Sequence, residues 1–223
     1  MKNLVLVTSI IKPPNKPLSY TQTRSFYTPA ERFEQTKKTI ETIKEKIPDC
    51  KILITECSDL SENEHNYFIK NSDYFLNLID NESAKEYIYS YSKSLGEGTM
   101  TIYAIEYIIQ NNIQFENFFK ISGRYWLSDT FDYNKFDNKN CILRHYSQNS
   151  GAFTALYKLP SLTVVENYKN FLLKKRNDMI NCIGYEMLFY NFIKEYYIDN
   201  LILISPIGLS GYVSVTQNEF CIL

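Results

Sequence analysis

Leu4 to Ile11 is a continuous apolar run interrupted only by Thr8 and Ser9, the pattern of a strand buried on both faces with two hydroxyls near its end. Residues 12–29 carry Pro13, Pro14, Pro17 and Pro29 and so form neither helix nor inner strand. A connection this long beside a strand end is more often functional than idle. From Pro29 onward, Ala30, Phe33, Thr36, Ile40 and Ile43 recur at helical spacing, with Glu31 in the first turn and Lys44 and Lys46 ahead of Pro48, which complements the helix dipole at both ends. Lys51–Thr55 predicts a second strand followed by the cluster Glu56-Cys57-Ser58-Asp59. A short helix over Asp59–Lys70 and a third strand over Tyr74–Leu78 come next.

Ala84 to Asn111 is periodic for helix on both sides of Lys93–Thr99, where Gly96 and Gly98 interrupt the pattern and Thr99 is placed to cap a second helix. Phe115–Ile121 predicts a strand, followed by a polar Asp- and Asn-rich loop to Asn140. Cys141–His145 and Ala152–Leu159 alternate as two strands of a hairpin joined by Ser147-Gln148-Asn149-Ser150-Gly151. Helices follow Pro160 (Leu162, Val165, Phe171, Leu172) and Gly184 (Met187, Leu188, Phe192, Ile193), and Leu201–Ile204 predicts a last short strand. The tail Gly208–Tyr212 suits either a lid or an ordinary C-terminal loop. The chain contains no internal repeat. Strands alternating with helices predict an α/β fold, and nothing in the 223 residues marks a linker, so the expectation is one domain over residues 1–223.

Composition narrows the function classes. With 44% hydrophobic and 15% aromatic residues the chain can bury a sizeable core. The formal net charge of -1 offers no general field for nucleic acid, so any anion must be held by a local cluster. Cys50, Cys57, Cys141, Cys182 and Cys221 are scattered, odd in number and without a CxxC pair, which argues for reduced thiols and against a zinc site. No apolar stretch approaches a membrane span, and the N-terminal run is too short for a signal peptide, so the expected location is cytoplasmic.

The local cluster lies after Ile121. In an open α/β sheet ligands sit beyond the carboxyl ends of the strands, and here the strand ends in Ser122-Gly123-Arg124-Tyr125. A hydroxyl, a close backbone approach and a fixed cation suit a phosphate or pyrophosphate; an ordinary surface turn with a paired arginine is the alternative.

The order of these segments resembles the GT-A nucleotide-sugar glycosyltransferases. The likeness is carried by Val5-Leu6-Val7-Thr8-Ser9, Glu31-Arg32-Phe33-Glu34-Gln35-Thr36, Ile52-Leu53-Ile54-Thr55-Glu56, Lys93-Ser94-Leu95-Gly96-Glu97, Phe118 to Tyr125, Gly151 to Tyr157, and Gly184-Tyr185-Glu186. The resemblance implies a Rossmann-like mixed β-sheet flanked by helices, with Thr8, Ser9 and Glu56 on base and ribose. It also implies Arg24 on the phosphates or paired with Glu56, and Lys93 and Gly96 closing on the donor. Where many such enzymes carry a DxD motif for a divalent metal, this chain has Ser122-Gly123-Arg124. Arg124 with Lys120 would then stabilise the leaving diphosphate, with Mn²⁺ or Mg²⁺ disfavoured and Asp129, near Asp132, the fallback ligand. Lys120 has an alternative as an internal ion pair, because alternate strand residues face opposite sides of a sheet.

Glu186, among Ile183, Tyr185, Met187 and Leu188, is the candidate base, since partial burial would raise its proton affinity. His145 is a rival base and His65 reads as surface. The resemblance implies a glycosyltransferase taking a nucleotide-sugar donor and a glycan, lipid-linked or protein acceptor. A non-catalytic nucleotide-sugar or glycan-binding module that kept the fold is the alternative. A nucleotidyltransferase ranks last, because residues 8–28 contain no glycine for a phosphate loop.

Overall fold

A computed structural model describes residues 1–145, 151–215 and 220–222, the side chains of 221 and 222 excepted. In chain order the first half comprises β1 (Asn3–Ser9), α1 (Pro29–Lys46), β2 (Cys50–Glu56), α2 (Glu62–Asn71), β3 (Tyr74–Asn77), α3 (Glu82–Ile88) and α4 (Lys93–Gln110). The second half comprises β4 (Asn117–Ser122), β5 (Tyr125–Leu127), β6 (Cys141–His145), β7 (Ala152–Leu159), α5 (Leu162–Lys174), α6 (Arg176–Ile180), α7 (Tyr185–Tyr196), β8 (Leu201–Leu203), β9 (Leu209–Tyr212) and β10 (Phe220–Ile222).

The main sheet runs β3-β2-β1-β4-β7-β6-β8. Its first four strands are parallel, β7 is antiparallel to both β4 and β6, and β8 runs parallel to β6. This is the mixed α/β sheet the alternation of strands and helices predicts. Side chains on β1 alternate as a two-sided strand requires. Leu4 and Leu6 join Phe118, Tyr157 and the inner faces of α4, α5 and α7, while Val5 and Val7 join Phe119, Ile121 and the Ile40/Ile43 stripe of α1. Thr28 caps α1 in a reciprocal capping box with Glu31, so the N-terminal end of the segment that the sequence marks as helix is satisfied locally. Among the described residues, no helix is long and apolar enough to cross a membrane.

Two segments differ from expectation. Lys93–Thr99 is not a glycine-interrupted junction: the break falls earlier, Ser92 Oγ accepts from Leu95 N at 3.2 Å, and α4 runs unbroken with Thr99 inside it. The two glycines serve packing. A Cβ at Gly96 would stand 2.9 Å from the Ile88 carbonyl oxygen, and one at Gly98 would stand 2.3 Å from Met179 Sδ. The tail at Gly208–Tyr212 is not a lid, because β9 is the central strand of a second sheet, β10-β9-β5, with Gly211 opposite Tyr125. Gly208, at φ 80°, makes the turn into it. The hairpin of β6 and β7 forms antiparallel as expected, while positions 147–150 of its turn lie outside the described residues.

Candidate functional site

The carboxyl ends of β1 and β4 lie side by side, with Thr8 opposite Ser122. Gly123 N donates to the Thr8 carbonyl at 2.9 Å, which carries the strand pairing one residue past β4. From the α1 side, Thr36 Oγ1 donates to the Gly123 carbonyl at 2.7 Å and Thr39 Oγ1 to the Tyr125 carbonyl at 2.6 Å. A Cβ at Gly123 would meet Ser9 Cβ and Thr36 Oγ1, each at 3.1 Å. The Ser122-Gly123-Arg124 turn is therefore clamped on two sides, and a clamped turn aims the side chain that follows it.

That side chain is Arg124, which lines an open cleft together with Tyr20, Arg24, Arg32, Lys93 and Glu97. Its guanidinium carbon lies 5.6 Å from the Tyr125 ring centre, a cation–π arrangement. Thr8, Ser9, Ser122 and Gly123 line an adjoining pocket that shares Arg32, Glu97 and Arg124 with the cleft. Among the described residues, no carboxylate lies within ion-pairing distance of Arg24, Arg32 or Arg124. Three arginines thus share one crevice, none of them in direct ion-pair contact with a carboxylate among the described residues, while Glu97 on the same wall feels Arg124 through space.

A second lobe adjoins the first through Tyr20 and Lys93 and is lined by Ser19, Ser94, Gly184 and Glu186. Lys93 Nζ lies 3.5 Å from Glu186 Oε1 and 3.7 Å from Glu97 Oε1. Glu97 raises the lysine's proton affinity most, with Glu186 adding to it against the effect of burial. For Glu97, burial works to raise proton affinity, but Lys93, Lys120 and Arg124 together outweigh it and hold the carboxyl below its usual range. Among the described residues Glu97 Oε2 has no hydrogen-bond partner, so the carboxylate depends on Lys93 at its other oxygen and on Lys120 and Arg124 through space. Glu186 is half-buried and meets the Lys93 ammonium, not the apolar neighbours expected from the flanking sequence; Leu188 turns into the core and Met187 outward.

Several predicted site residues lie elsewhere. Lys120 is 1% exposed and sits behind the cleft floor, donating to Ser122 Oγ at 2.7 Å and the Thr154 carbonyl at 2.9 Å; burial pushes its ammonium down to about 8. It cannot touch a ligand beside Arg124 but can orient Ser122. Glu56 is fully buried and does not line the cleft. Its Oε1 accepts from Ile11 N, Cys57 N and Ser58 Oγ at 2.7–3.2 Å, anchoring the loop after β1, and burial raises its proton affinity. Arg24 does not pair with Glu56; it donates to the carbonyls of Lys16 and Tyr89, each at 3.0 Å, and of Ser90, tying the proline-bearing loop to the α3–α4 junction. Gly96 borders the cleft but is a packing position.

Asp129 is exposed and 3.6 Å from Lys46, and Asp132 Oδ1 accepts from Asn134 N at 3.1 Å. His145 packs its ring 4.7 Å from that of Tyr190. Among the described residues, no three His, Cys, Asp or Glu side chains converge on a metal-sized site. The donor set at the end of β4 does not fit a divalent cation, which needs oxygen ligands. It offers a hydroxyl and a guanidinium, and the two carboxylates bordering the cleft already share Lys93.

Tyr20, Arg32 and Glu97 escaped the sequence reading. Glu97 is legible in retrospect as the helical i, i+4 partner of Lys93. Arg32 shares the buried stripe Arg32, Thr36, Thr39 and Ile43 of α1, and an arginine on the inward face of a helix is itself a signal. Tyr20 has no comparable mark; only the path of the loop brings it over the cleft.

The arrangement of strands and helices resembles that of solved glycosyltransferases and of a nucleoside-diphosphate-sugar pyrophosphorylase. Core-mannan synthase A (CmsA/Ktr4) from Aspergillus fumigatus, in its Mn/GDP form, aligns over 94% of this chain and 74% of its own at 8% identity, with a TM-score of 0.58. The glycosyltransferase GlyE of Streptococcus pneumoniae TIGR4 aligns over 92% of this chain and 45% of its own at 11% identity, TM-score 0.52. A nucleoside-diphosphate-sugar pyrophosphorylase from Vibrio cholerae RC9 aligns over 93% of both chains at 8% identity, TM-score 0.54. The fold is GT-A-like. Neither protein-family models nor curated protein sequences yield a match. At these identities the likeness is one of fold, and the GT-A-like cleft of this chain has to be read from its own residues.

Proposed function

We propose that this chain is a glycosyltransferase that moves a sugar from a nucleoside-diphosphate donor to an acceptor hydroxyl, using fixed cations where a metal ion is the common alternative. The observation that carries the reading is Arg124, held at the end of β4 by a clamped turn and lining the cleft with no ion-paired carboxylate among the described residues, with Glu186 in the adjoining lobe. The acceptor oxygen attacks the anomeric carbon as the bond from that carbon to the diphosphate oxygen breaks. The electron pair leaves with the diphosphate, the acceptor proton passes to the Glu186 carboxylate, and Arg124 neutralises charge on the leaving group. Lys120 acts one step back by orienting Ser122. The hydroxyl-lined second lobe suits a polyol acceptor.

A second reading has its own support. Lys93 stands against Glu186, and a carboxylate held in an ion pair is a poor proton acceptor, as a pure nucleotide-sugar or glycan binder would tolerate. Incubating the protein with a panel of nucleotide sugars and simple glycan acceptors, with and without EDTA, separates these readings. Product formed equally in both arms supports the metal-independent transferase. Chelator-abolished turnover restored by Mn²⁺ or Mg²⁺ removes the metal-independent version, and thermal stabilisation without any product supports the binder.

A further inference from the structure

Arg32 is 8% exposed, yet it lines both the cleft and the pocket adjoining it. Half of its fork is committed to the protein. Nε donates to the Ile10 carbonyl at 2.7 Å, and Nη1 reaches Ser25 Oγ at 3.2 Å and Ser214 Oγ at 3.4 Å. No protein atom among the described residues accepts from Nη2. A guanidinium presents five N–H donors in a rigid plane, so holding Nε and Nη1 fixes where Nη2 stands.

The charge environment points the same way. Burial first, and then the neighbouring Arg124, hold the Arg32 guanidinium below its ordinary proton affinity; Glu56 opposes them only weakly. Glu56 itself is driven toward its neutral acid by burial, so it is a poor counter-ion. Two like charges on the wall of one partly desolvated crevice repel more strongly than they would in water. A small polyanion spanning both would relieve that repulsion and accept the free donors. The serine contacts add a structural link, because Ser214 Oγ also donates to the Arg24 carbonyl at 2.8 Å. The residue offering Nη2 to the cleft thereby ties together α1, the proline-bearing loop and the segment after β9.

We infer that Arg32 is a second anion-binding residue, which with Arg124 forms a two-arginine clamp for the two phosphates of a diphosphate group. The assignment deepens the proposed donor site and rests on that reading for its biological ligand, but not for its test. Arg124 supplies a half-buried cation after the clamped turn and Arg32 a buried one on the same wall. A ligand with two linked phosphates should therefore bind far better than one.

The test uses the unmodified chain and inorganic pyrophosphate, with inorganic phosphate as comparison. Arginine side-chain N–H resonances, assigned with Arg32→Lys and Arg124→Lys, are followed during titration. Both resonances should move saturably with one shared dissociation constant, and phosphate should bind at least about tenfold more weakly, roughly 1.4 kcal/mol. Arg32→Lys should weaken pyrophosphate binding at least about tenfold while circular dichroism and thermal midpoint show the fold retained, because an ammonium cannot hold Ile10 and reach the ligand at once. If Arg124 moves while Arg32 stays still, or Arg32→Lys binds as tightly as the wild type, the clamp is wrong and the single-arginine donor site survives. If pyrophosphate moves neither resonance, the clamp is likewise wrong. Turnover of a nucleotide sugar in the wild type then decides the transferase reading separately.

Discussion

The Lys93 ammonium lies 3.5 Å from the Glu186 carboxylate and 3.7 Å from that of Glu97. Two carboxylates from different helices are thus held together by one cation at the junction of the two lobes. For Glu186 to accept a proton, Lys93 must lean to Glu97, whose charge is preserved by Lys93, Lys120 and Arg124. Replacing Glu186 by Gln should lower kcat by about 10²–10⁴-fold, the ordinary contribution of a general base, with little change in pyrophosphate affinity. Equal activity of the variant would remove Glu186 from the reaction.

Arg124→Ala should lower turnover by about 10²–10³-fold, the scale seen on removing one preorganised charge-stabilising donor. Arg124→Lys should recover part of it, because the charge returns without the planar fork. Steady-state kinetics at saturating donor reads the difference. Loss confined to KM would make Arg124 a ground-state binder only.

Lys120 makes a testable pH signature. Its folded-state value, about 8, lies below its ordinary 10.5, so between these pH values the unfolded chain binds a proton that the folded chain has released. Stability from this group therefore rises with pH across that window and is flat below it. Urea denaturation of Lys120→Met should show a shallower rise than the wild type, the difference amounting to on the order of 3 kcal/mol across the window. Lys158, pushed down to about 8 by burial, gives the same sign in both proteins and cancels in the comparison. Parallel curves would mean that Lys120 is not destabilised by burial.

Glu56 carries the opposite sign. Burial raises its folded-state proton affinity above the ordinary 4.5, so above that pH the unfolded chain gives up its proton first and stability from this group falls as pH rises. Glu56→Gln, which keeps an acceptor for Ile11, Cys57 and Ser58, should gain on the wild type in denaturation midpoint from pH 4 to pH 7. A constant offset between the two would exclude the raised value.

Gly211→Ala probes the pairing of β5 and β9. A Cβ there would stand 2.7 Å from the Arg124 carbonyl oxygen and 2.5 Å from Tyr125 Cδ1. Because the first obstacle is backbone, the strand must shift, at a cost of about 1–3 kcal/mol typical of overpacking. Calorimetry reads the loss. Pyrophosphate affinity should drop with it, since Arg124 leads directly into the displaced strand.

The local pattern along the chain was enough for the alternating strands and helices, for Glu31 in the first turn of α1, and for Thr8-Ser9 and Ser122-Gly123-Arg124 each at a strand end. These rest on interactions within one turn or one strand, and so are written in neighbouring residues. Contacts between distant segments decided the rest. Lys120 faces the α4 side of the sheet and is sealed by Thr154, while Arg124, after the turn, enters the cleft. Arg24 goes to main-chain carbonyls at Tyr89 and Ser90, and the flexible-looking tail becomes an inner strand because β5 lacks a partner until β9 arrives. Arg32 could be seen in the sequence only as a polar residue on a helix face. It faces Arg124 because α1 packs over the ends of β1 and β4, and only that packing decides which charges share a crevice and which are sealed beneath it.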